Sequence, residues 1–103
     1  MYGFVHDIPN GPNHPTWHTL AAIQQGLPTF SDRPIALIWG MRDWCFHSWY
    51  LERFLDFIPQ AEVVRLPDAG HWVVEDAPHE VIGAIDEFMS RNSTWDRTCQ
   101  AKA

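Results

Sequence analysis

The stretch Leu66-Pro-Asp-Ala-Gly-His-Trp-Val-Val-Glu-Asp-Ala-Pro78 begins where one apolar run ends and finishes where an amphipathic one starts. This order predicts a strand, then a loop that carries a Gly-His pair, and then a helix. His71 therefore falls on a loop at the carboxyl end of a strand. Because open α/β sheets place their chemistry at this edge, the stretch predicts both a fold class and a functional histidine.

A second apolar run lies upstream and has the same layout. Ile35 to Trp39 form an uninterrupted apolar run closed by Gly40, which predicts a strand buried on both faces, as in a parallel sheet. A helix follows, with Ser48 as its cap and Pro59 just after its end. Its predicted apolar positions are Trp49, Tyr50, Phe54, Leu55, Phe57 and Ile58.

The second strand, 61–66, leads into a loop at 67–75 and then into the final helix. Asp76 or Ala77 is expected to cap this helix, with Pro78 near its start. The predicted buried stripe of the helix consists of Val81, Ile82, Ile85, Phe88 and Met89. A helix that connects two consecutive strands makes them parallel, with a right-handed connection. The sequence therefore predicts an α/β fold with two parallel strands and flanking helices.

The residues before the first strand predict a loop and one helix. The loop covers residues 1–14 and carries an apolar anchor formed by Tyr2, Phe4 and Val5. The helix is expected to begin near Pro15 and to end at Gly26 and Pro28. At the other end of the chain, the residues after Ser90 turn polar and predict a frayed tail.

Asp43 and His71 follow the two neighbouring strands of this predicted sheet. Both strands of a parallel unit end at the same edge and lie roughly 4.8 Å apart, so the two side chains are expected within hydrogen-bonding reach. A carboxylate on one ring nitrogen fixes the tautomer and stabilises the charged ring, and the other nitrogen can then take a proton. The alternative is that each residue is only a turn former or a solvated side chain.

Other reactive residues have simpler explanations. Cys45 could act as a nucleophile for the histidine, but a loop cysteine among aromatic residues is more often a small hydrophobe. His14 and His18 are spaced like half a zinc site, but Pro15 separates them and no third ligand is evident. The helix dipole explains three carboxylates near the start of the final helix without any chemistry: Glu75, Asp76 and Glu80. No metal and no other cofactor is expected.

The composition limits the class of protein. A chain of 103 residues with 46% hydrophobic and 19% charged residues is one domain or a piece of one. The net charge of −6 argues against nucleic acid and anionic membrane surfaces as partners. Cys45 and Cys99 lie in no metal or redox spacing, and no apolar run approaches the length of a membrane span. The expected location is cytoplasmic.

Two motifs carry a resemblance to a known family. They are Arg33-Pro-Ile-Ala-Leu-Ile-Trp-Gly-Met-Arg-Asp43 and Pro67-Asp-Ala-Gly-His-Trp-Val-Val-Glu-Asp-Ala-Pro-His-Glu-Val81. Together they resemble the C-terminal part of an α/β-hydrolase of the haloalkane dehalogenase-like branch. Within that branch the chain is similar to the β-lactone decarboxylases of bacterial long-chain olefin biosynthesis. The resemblance runs from about residue 4 to residue 90, and its motifs are more specific for the superfamily than for a substrate.

The resemblance implies a domain layout and site roles. Residues 1–30 would be the end of a cap region and a connecting helix, 31–92 the C-terminal βαβα part of the hydrolase core, and 93–103 a tail. Asp43 matches the triad acid and His71 the triad histidine. In this branch the nucleophile is an aspartate that forms an alkyl ester with the substrate, and the histidine assists the following step. The substrate would be a small apolar ester, lactone or haloalkane.

Four aromatic residues flank the acid and the histidine and would line an apolar pocket, although plain core packing explains each of them equally well. They are Trp39, Trp44, Phe46 and Trp72. A nucleophile elbow needs Gly-x-nucleophile-x-Gly, and no two of the 6 glycines are spaced in that way. The sequence therefore predicts a truncated hydrolase core that is inactive alone and that self-associates through an uncovered apolar edge. A non-catalytic binding module and one chain of a split hydrolase, such as an esterase or epoxide hydrolase, remain as alternatives.

Overall fold

The computed structural model describes residues 8–93. The chain divides between Asp32 and Arg33 into two compact units. The predicted anchor at residues 2–5 and residues 94–103 of the predicted tail lie outside the described residues.

The first unit contains helix α1, Trp17–Gly26, followed by a 3₁₀ turn, Leu27–Phe30. The helix begins two residues later than predicted, after Thr16, whose side chain makes no capping bond. His14 lies in the turn before it, where its Nδ1 accepts a hydrogen bond from the Thr16 amide at 3.2 Å. The α-helix ends at Gly26 as predicted. Pro28 does not end the helical conformation at once, because it lies inside the 3₁₀ turn.

The second unit has the order strand, helix, strand, helix, helix. Strands β1, Ala36–Gly40, and β2, Glu62–Leu66, pair in parallel, with Ala36 opposite Glu62 and Gly40 opposite Leu66. Helix α2, Ser48–Phe57, connects the strands, and α3, Val73–Asp76, and α4, Pro78–Arg91, follow the second one. The predicted α/β class with two parallel strands and flanking helices is confirmed.

Each face of the small sheet carries one of the two longer helices. Successive side chains of a strand point to opposite faces. Ile38 and Val64 pack on the buried cluster that contains Val81 of α4. The side chains on the other face pack against α2, where the ring centroids of Trp39 and Phe54 lie 6.1 Å apart. The crossover between two parallel strands therefore yields a layered unit whose strand ends share one edge.

Several details of α2 differ from the prediction. Its N-cap is His47, whose side chain accepts from the Trp49 amide, and Ser48 is already the first helical residue. The predicted apolar set omitted Leu51, which is 0% exposed, whereas Trp49 and Phe54 are partly exposed. Helical periodicity marks which residues are apolar, but only packing decides which of them is covered.

The final helix also differs. Of its predicted buried stripe, Val81 is buried and Phe88 is half-buried, while the rest are exposed: Ile82, Ile85 and Met89. The cap is Ala77, one of the two residues predicted, and it makes no side-chain bond. The predicted loop at 67–75 is likewise not all loop, because α3 occupies its end.

The strands are less covered than predicted. Residues 36–39 of β1 are half-buried rather than fully buried on both faces, and only Gly40 is buried. The described sheet has two strands, so each strand has one paired edge within residues 8–93. Helices on both faces therefore cover β1 only in part.

Candidate active site

The loops after β1 and β2 are held together by backbone hydrogen bonds. The amide of Met41 donates to the Leu66 carbonyl at 2.9 Å, and the amide of Arg42 donates to the Ala69 carbonyl at 2.9 Å. Gly40 permits this approach, because a Cβ at its position would lie 2.2 Å from the Gly70 carbonyl oxygen. The absence of a side chain at the end of β1 thus lets the loop that carries His71 pass directly over the loop that carries Asp43.

Asp43 is held by its own loop. Its Oδ1 accepts hydrogen bonds from the amides of Cys45 at 2.9 Å and Phe46 at 2.8 Å. Aspartate favours such turns because its short side chain reaches the amides two and three residues ahead. These bonds occupy one carboxylate oxygen and turn the other, Oδ2, towards His71.

The carboxylate of Asp43 is only 7% exposed, yet it remains readily ionised. Burial acts to raise its pKa, but the Phe46 amide, the His71 ring and the Cys45 amide together outweigh burial and lower the pKa below the ordinary value. A buried carboxylate that keeps its charge is a strong acceptor for an imidazole N–H.

His71 meets this carboxylate across the sheet edge. Its Nδ1 lies 2.9 Å from Asp43 Oδ2, and its side chain is 36% exposed. With Nδ1–H donating to the ionised carboxylate, Nε2 is the nitrogen that can accept a proton. The two residues singled out in the sequence are therefore in direct contact, in an arrangement that suits a general base.

The four predicted pocket residues take different places. The rings of Phe46 and Trp72 lie 5.2 Å and 5.3 Å from the His71 ring. Trp39 instead supports the loop, because its indole Nε1 donates to the Phe46 carbonyl at 2.8 Å. Trp44 is 87% exposed. The structure therefore brings two of the four aromatic rings to the histidine.

Two residues near the site were missed by sequence reasoning. Tyr50 packs edge-on against Phe46, with ring centroids 5.3 Å apart. Asp76 Oδ2 accepts a hydrogen bond from the Gly70 amide at 2.8 Å. Interaction with a helix dipole was the predicted explanation for Asp76, and it is incomplete, because this carboxylate bonds back to the histidine loop. The signal in the sequence was a carboxylate close behind a Gly-His pair.

Residues 8–93 offer little support for a metal site, a cysteine nucleophile or a membrane-spanning helix. No group of three His, Cys, Asp or Glu side chains within that range could hold a metal ion. Cys45 is exposed, and its amide rather than its thiol is bonded to Asp43. None of the helices in the same range is long and apolar enough to cross a bilayer.

Comparison with known proteins agrees with the fold and the motifs. Residues 4–78 match the family described as alpha/beta hydrolase fold. The chain belongs to this alpha/beta hydrolase family, as the motifs around Asp43 and His71 predicted. No solved structure gives a significant match.

Curated relatives support the predicted branch. A cis-3-alkyl-4-alkyloxetan-2-one decarboxylase of Xanthomonas campestris pv. campestris is 43% identical over 89 residues, which cover 86% of this chain and 30% of the relative. The decarboxylase of the same name from Shewanella oneidensis is 35% identical over 91 residues, or 88% of this chain and 29% of the relative. Haloalkane dehalogenase 2 of Mycobacterium bovis is 37% identical over 70 residues, which cover 66% of this chain and 24% of the relative. The chain thus spans less than a third of the length of these relatives.

Proposed function

We propose that this chain supplies the acid, Asp43, and the general base, His71, of a hydrolase-type catalytic triad, in an enzyme that resembles the haloalkane dehalogenases or the β-lactone decarboxylases. The observation that carries the proposal is the 2.9 Å contact between His71 Nδ1 and Asp43 Oδ2. The second carboxylate oxygen is already bound to two amides, so the acid is held in place before any substrate arrives.

The chemistry follows from this contact. The Asp43 carboxylate keeps the proton of His71 on Nδ1, which leaves Nε2 to take a proton from an attacking water or nucleophile. As the imidazole becomes charged, the neighbouring carboxylate stabilises it. The pair therefore acts as a base and returns the proton to the product, and it needs a nucleophile and oxyanion donors to achieve a useful rate.

The surroundings favour an apolar substrate. The Phe46 and Trp72 rings lie against the His71 ring. The relatives are named for dialkyl oxetan-2-ones and haloalkanes, both of which carry alkyl groups. We propose a substrate of this class, a lactone, haloalkane or ester, with Phe46 and Trp72 next to its reacting carbon. Trp39 and Trp44 would belong to the same pocket in the complete enzyme.

The sequence contains no Gly-x-nucleophile-x-Gly, so we expect the 103-residue chain to be inactive alone. The purified chain should show no turnover of acyl esters, haloalkanes or β-lactones. Turnover that disappears in His71→Ala would contradict this expectation and would show that the chain is active by itself.

The roles of the two residues are best tested in a complete enzyme. In the Xanthomonas decarboxylase, the segment that this chain matches would be replaced by the corresponding residues of this chain. We expect turnover of a cis-3-alkyl-4-alkyloxetan-2-one, lowered by about 10⁴-fold in Asp43→Asn and by at least as much in His71→Ala. Asp68→Asn and His79→Ala, both exposed, are the matched controls. Normal turnover in His71→Ala would reject the proposal.

A second candidate function is non-catalytic binding of an apolar ligand, which the exposure of Trp44 and Trp72 favours. Titration of the chain with a long-chain alkyl β-lactone, followed by tryptophan fluorescence, separates the two functions. Saturable binding that is lost in Trp72→Ala, together with full activity of the His71→Ala enzyme above, would favour the binding module.

A further inference from the structure

The geometry points to Asp76 as a positioning residue for His71: it orients the Ala69–Gly70 peptide, one residue before the histidine, and thereby keeps Nδ1 on Asp43. Asp76 Oδ2 accepts from the Gly70 amide at 2.8 Å, across a separation of six residues. The loop that carries His71 is thus closed on itself by one charge-assisted hydrogen bond. This inference rests on the proposed role of His71 as the base.

The peptide unit between Ala69 and Gly70 is bound at both of its polar atoms. Its N–H donates to Asp76, and its carbonyl oxygen accepts from the Arg42 amide at 2.9 Å. Because a peptide unit is planar, two bonds at opposite ends determine the orientation of the whole plane. Arg42 is the neighbour of Asp43, so the same plane links the acid loop to the histidine loop.

The position of Asp76 does not follow from helix capping. The N-cap of α4 is Ala77, which makes no side-chain bond. Asp76 ends the four-residue helix α3, where its own amide donates to the Trp72 carbonyl at 2.9 Å. Interaction with the dipole of α4 does not require a bond to Gly70. The observed bond instead connects the Asp76 carboxylate to the His71 loop.

Space around Gly70 supports the same conclusion. A Cβ on Gly70 would lie 3.2 Å from Asp76 Oδ2, tighter than an ordinary contact. The carboxylate would have to give way, which weakens the bond to the Gly70 amide. Ala69 beside it is almost fully buried, so that end of the loop has little freedom to adjust. The Asp76 side chain lies at the surface, so it is the more mobile of the two groups that hold the Ala69–Gly70 peptide.

A spectroscopic test uses the full 103-residue chain. Ring ¹⁵N shifts of His71 report the fraction of the neutral ring that carries its proton on Nδ1. We expect Asp76→Ala to lower that fraction at least twofold, and Gly70→Ala to change it in the same direction. Asp76→Asn keeps an oxygen acceptor and should restore the wild-type signal, and Glu75→Ala is the matched control on the same short helix. A ring signal in Asp76→Ala equal to that in Glu75→Ala would overturn the inference.

A kinetic test uses the chimeric decarboxylase. Because small misplacements of a catalytic group are costly, we expect Asp76→Ala to lower kcat about 10-fold or more, to leave KM nearly unchanged, and to be rescued by Asp76→Asn. Unchanged kcat in Asp76→Ala, in an enzyme that His71→Ala inactivates, overturns the inference and leaves the proposed function standing. Full activity in His71→Ala rejects the proposed function, and the ring signal then decides whether Asp76 orients the histidine.

Discussion

At the scale of single residues, Asp43 shows how a buried charge is kept. Two amides of its own loop and the ring of His71 outweigh the effect of burial, and the pKa of Asp43 falls below the ordinary value. Aspartate makes these bonds with near neighbours in the chain, at positions 45 and 46. One oxygen of the acid is therefore fixed by bonds that are local in the sequence.

This pKa predicts a pH dependence of stability. A carboxyl group whose pKa is lower in the folded protein contributes its full stabilisation above the unfolded value, about 3.9, and loses it as the pH falls through the folded value. Asp43→Asn should therefore lower the free energy of unfolding more at pH 6 than at pH 2.5. Urea unfolding of both proteins at the two pH values measures this. An equal loss at both pH values would contradict it, and Asp68→Asn serves as the exposed control.

At the scale of the elements, the site depends on a close crossing of two loops. The carboxyl ends of β1 and β2 meet because the strands are parallel. Backbone bonds then fasten Met41 to the last residue of β2 and Arg42 to the loop after it. The crossing has no room for a side chain at Gly40, whose added Cβ would meet the Gly70 and Ala69 oxygens at 2.2 Å and 2.6 Å. The distance between the acid and the histidine is thus set by backbone contact.

Two glycine substitutions test this crossing. Gly40→Ala should lower the free energy of unfolding by about 1–3 kcal/mol or more, because backbone oxygens rather than flexible side chains must move. Gly83→Ala is the matched control: its Cβ would meet nothing within 4 Å, and alanine in a helix should stabilise by about 0.5–1 kcal/mol. Thermal or urea unfolding gives both values. A neutral Gly40→Ala would mean that the loops do not cross as closely as described.

At the scale of the whole molecule, the second unit leaves several large apolar side chains exposed. Val81 of helix α4 lies in the buried cluster. On the same helix, Ile82, Ile85 and Met89 form a neighbouring exposed stripe. Residues 36–39 of β1 are half-buried, as are Val63 and Val64 of β2. Exposed apolar stripes of this kind mark surfaces that pack against further protein, and on an isolated chain they favour association.

We therefore expect the isolated chain to self-associate through this stripe, in addition to the uncovered edge of β1 predicted from the sequence. Ile82→Lys with Ile85→Lys should shift the chain towards the monomer in analytical ultracentrifugation. Glu80→Lys changes the charge of the same helix at an exposed polar position and is the matched control. A wild-type chain that stays monomeric at micromolar to millimolar concentration, with cooperative unfolding, would contradict the expectation.

Some features of the site could be predicted from the sequence because they depend on order and local spacing. Two apolar runs joined by a helix imply parallel strands, and parallel strands bring Asp43 and His71 to one edge. The turn around Asp43 is also local, since its Oδ1 bonds only to amides two and three residues ahead. The motifs at 33–43 and 67–81 in turn indicated the family to which the chain belongs.

The tertiary structure alone decided which apolar side chains are covered and what holds the histidine loop. Leu51 rather than Trp49 is buried on α2, because burial depends on what packs against a helix and not on its periodicity. Likewise, Asp76 bonds to Gly70 rather than capping α4, since α3 returns the chain towards the loop that it has just left. The sequence by itself therefore determined that an acid and a histidine would meet at one sheet edge, and the packing of the loops determined how they are held there.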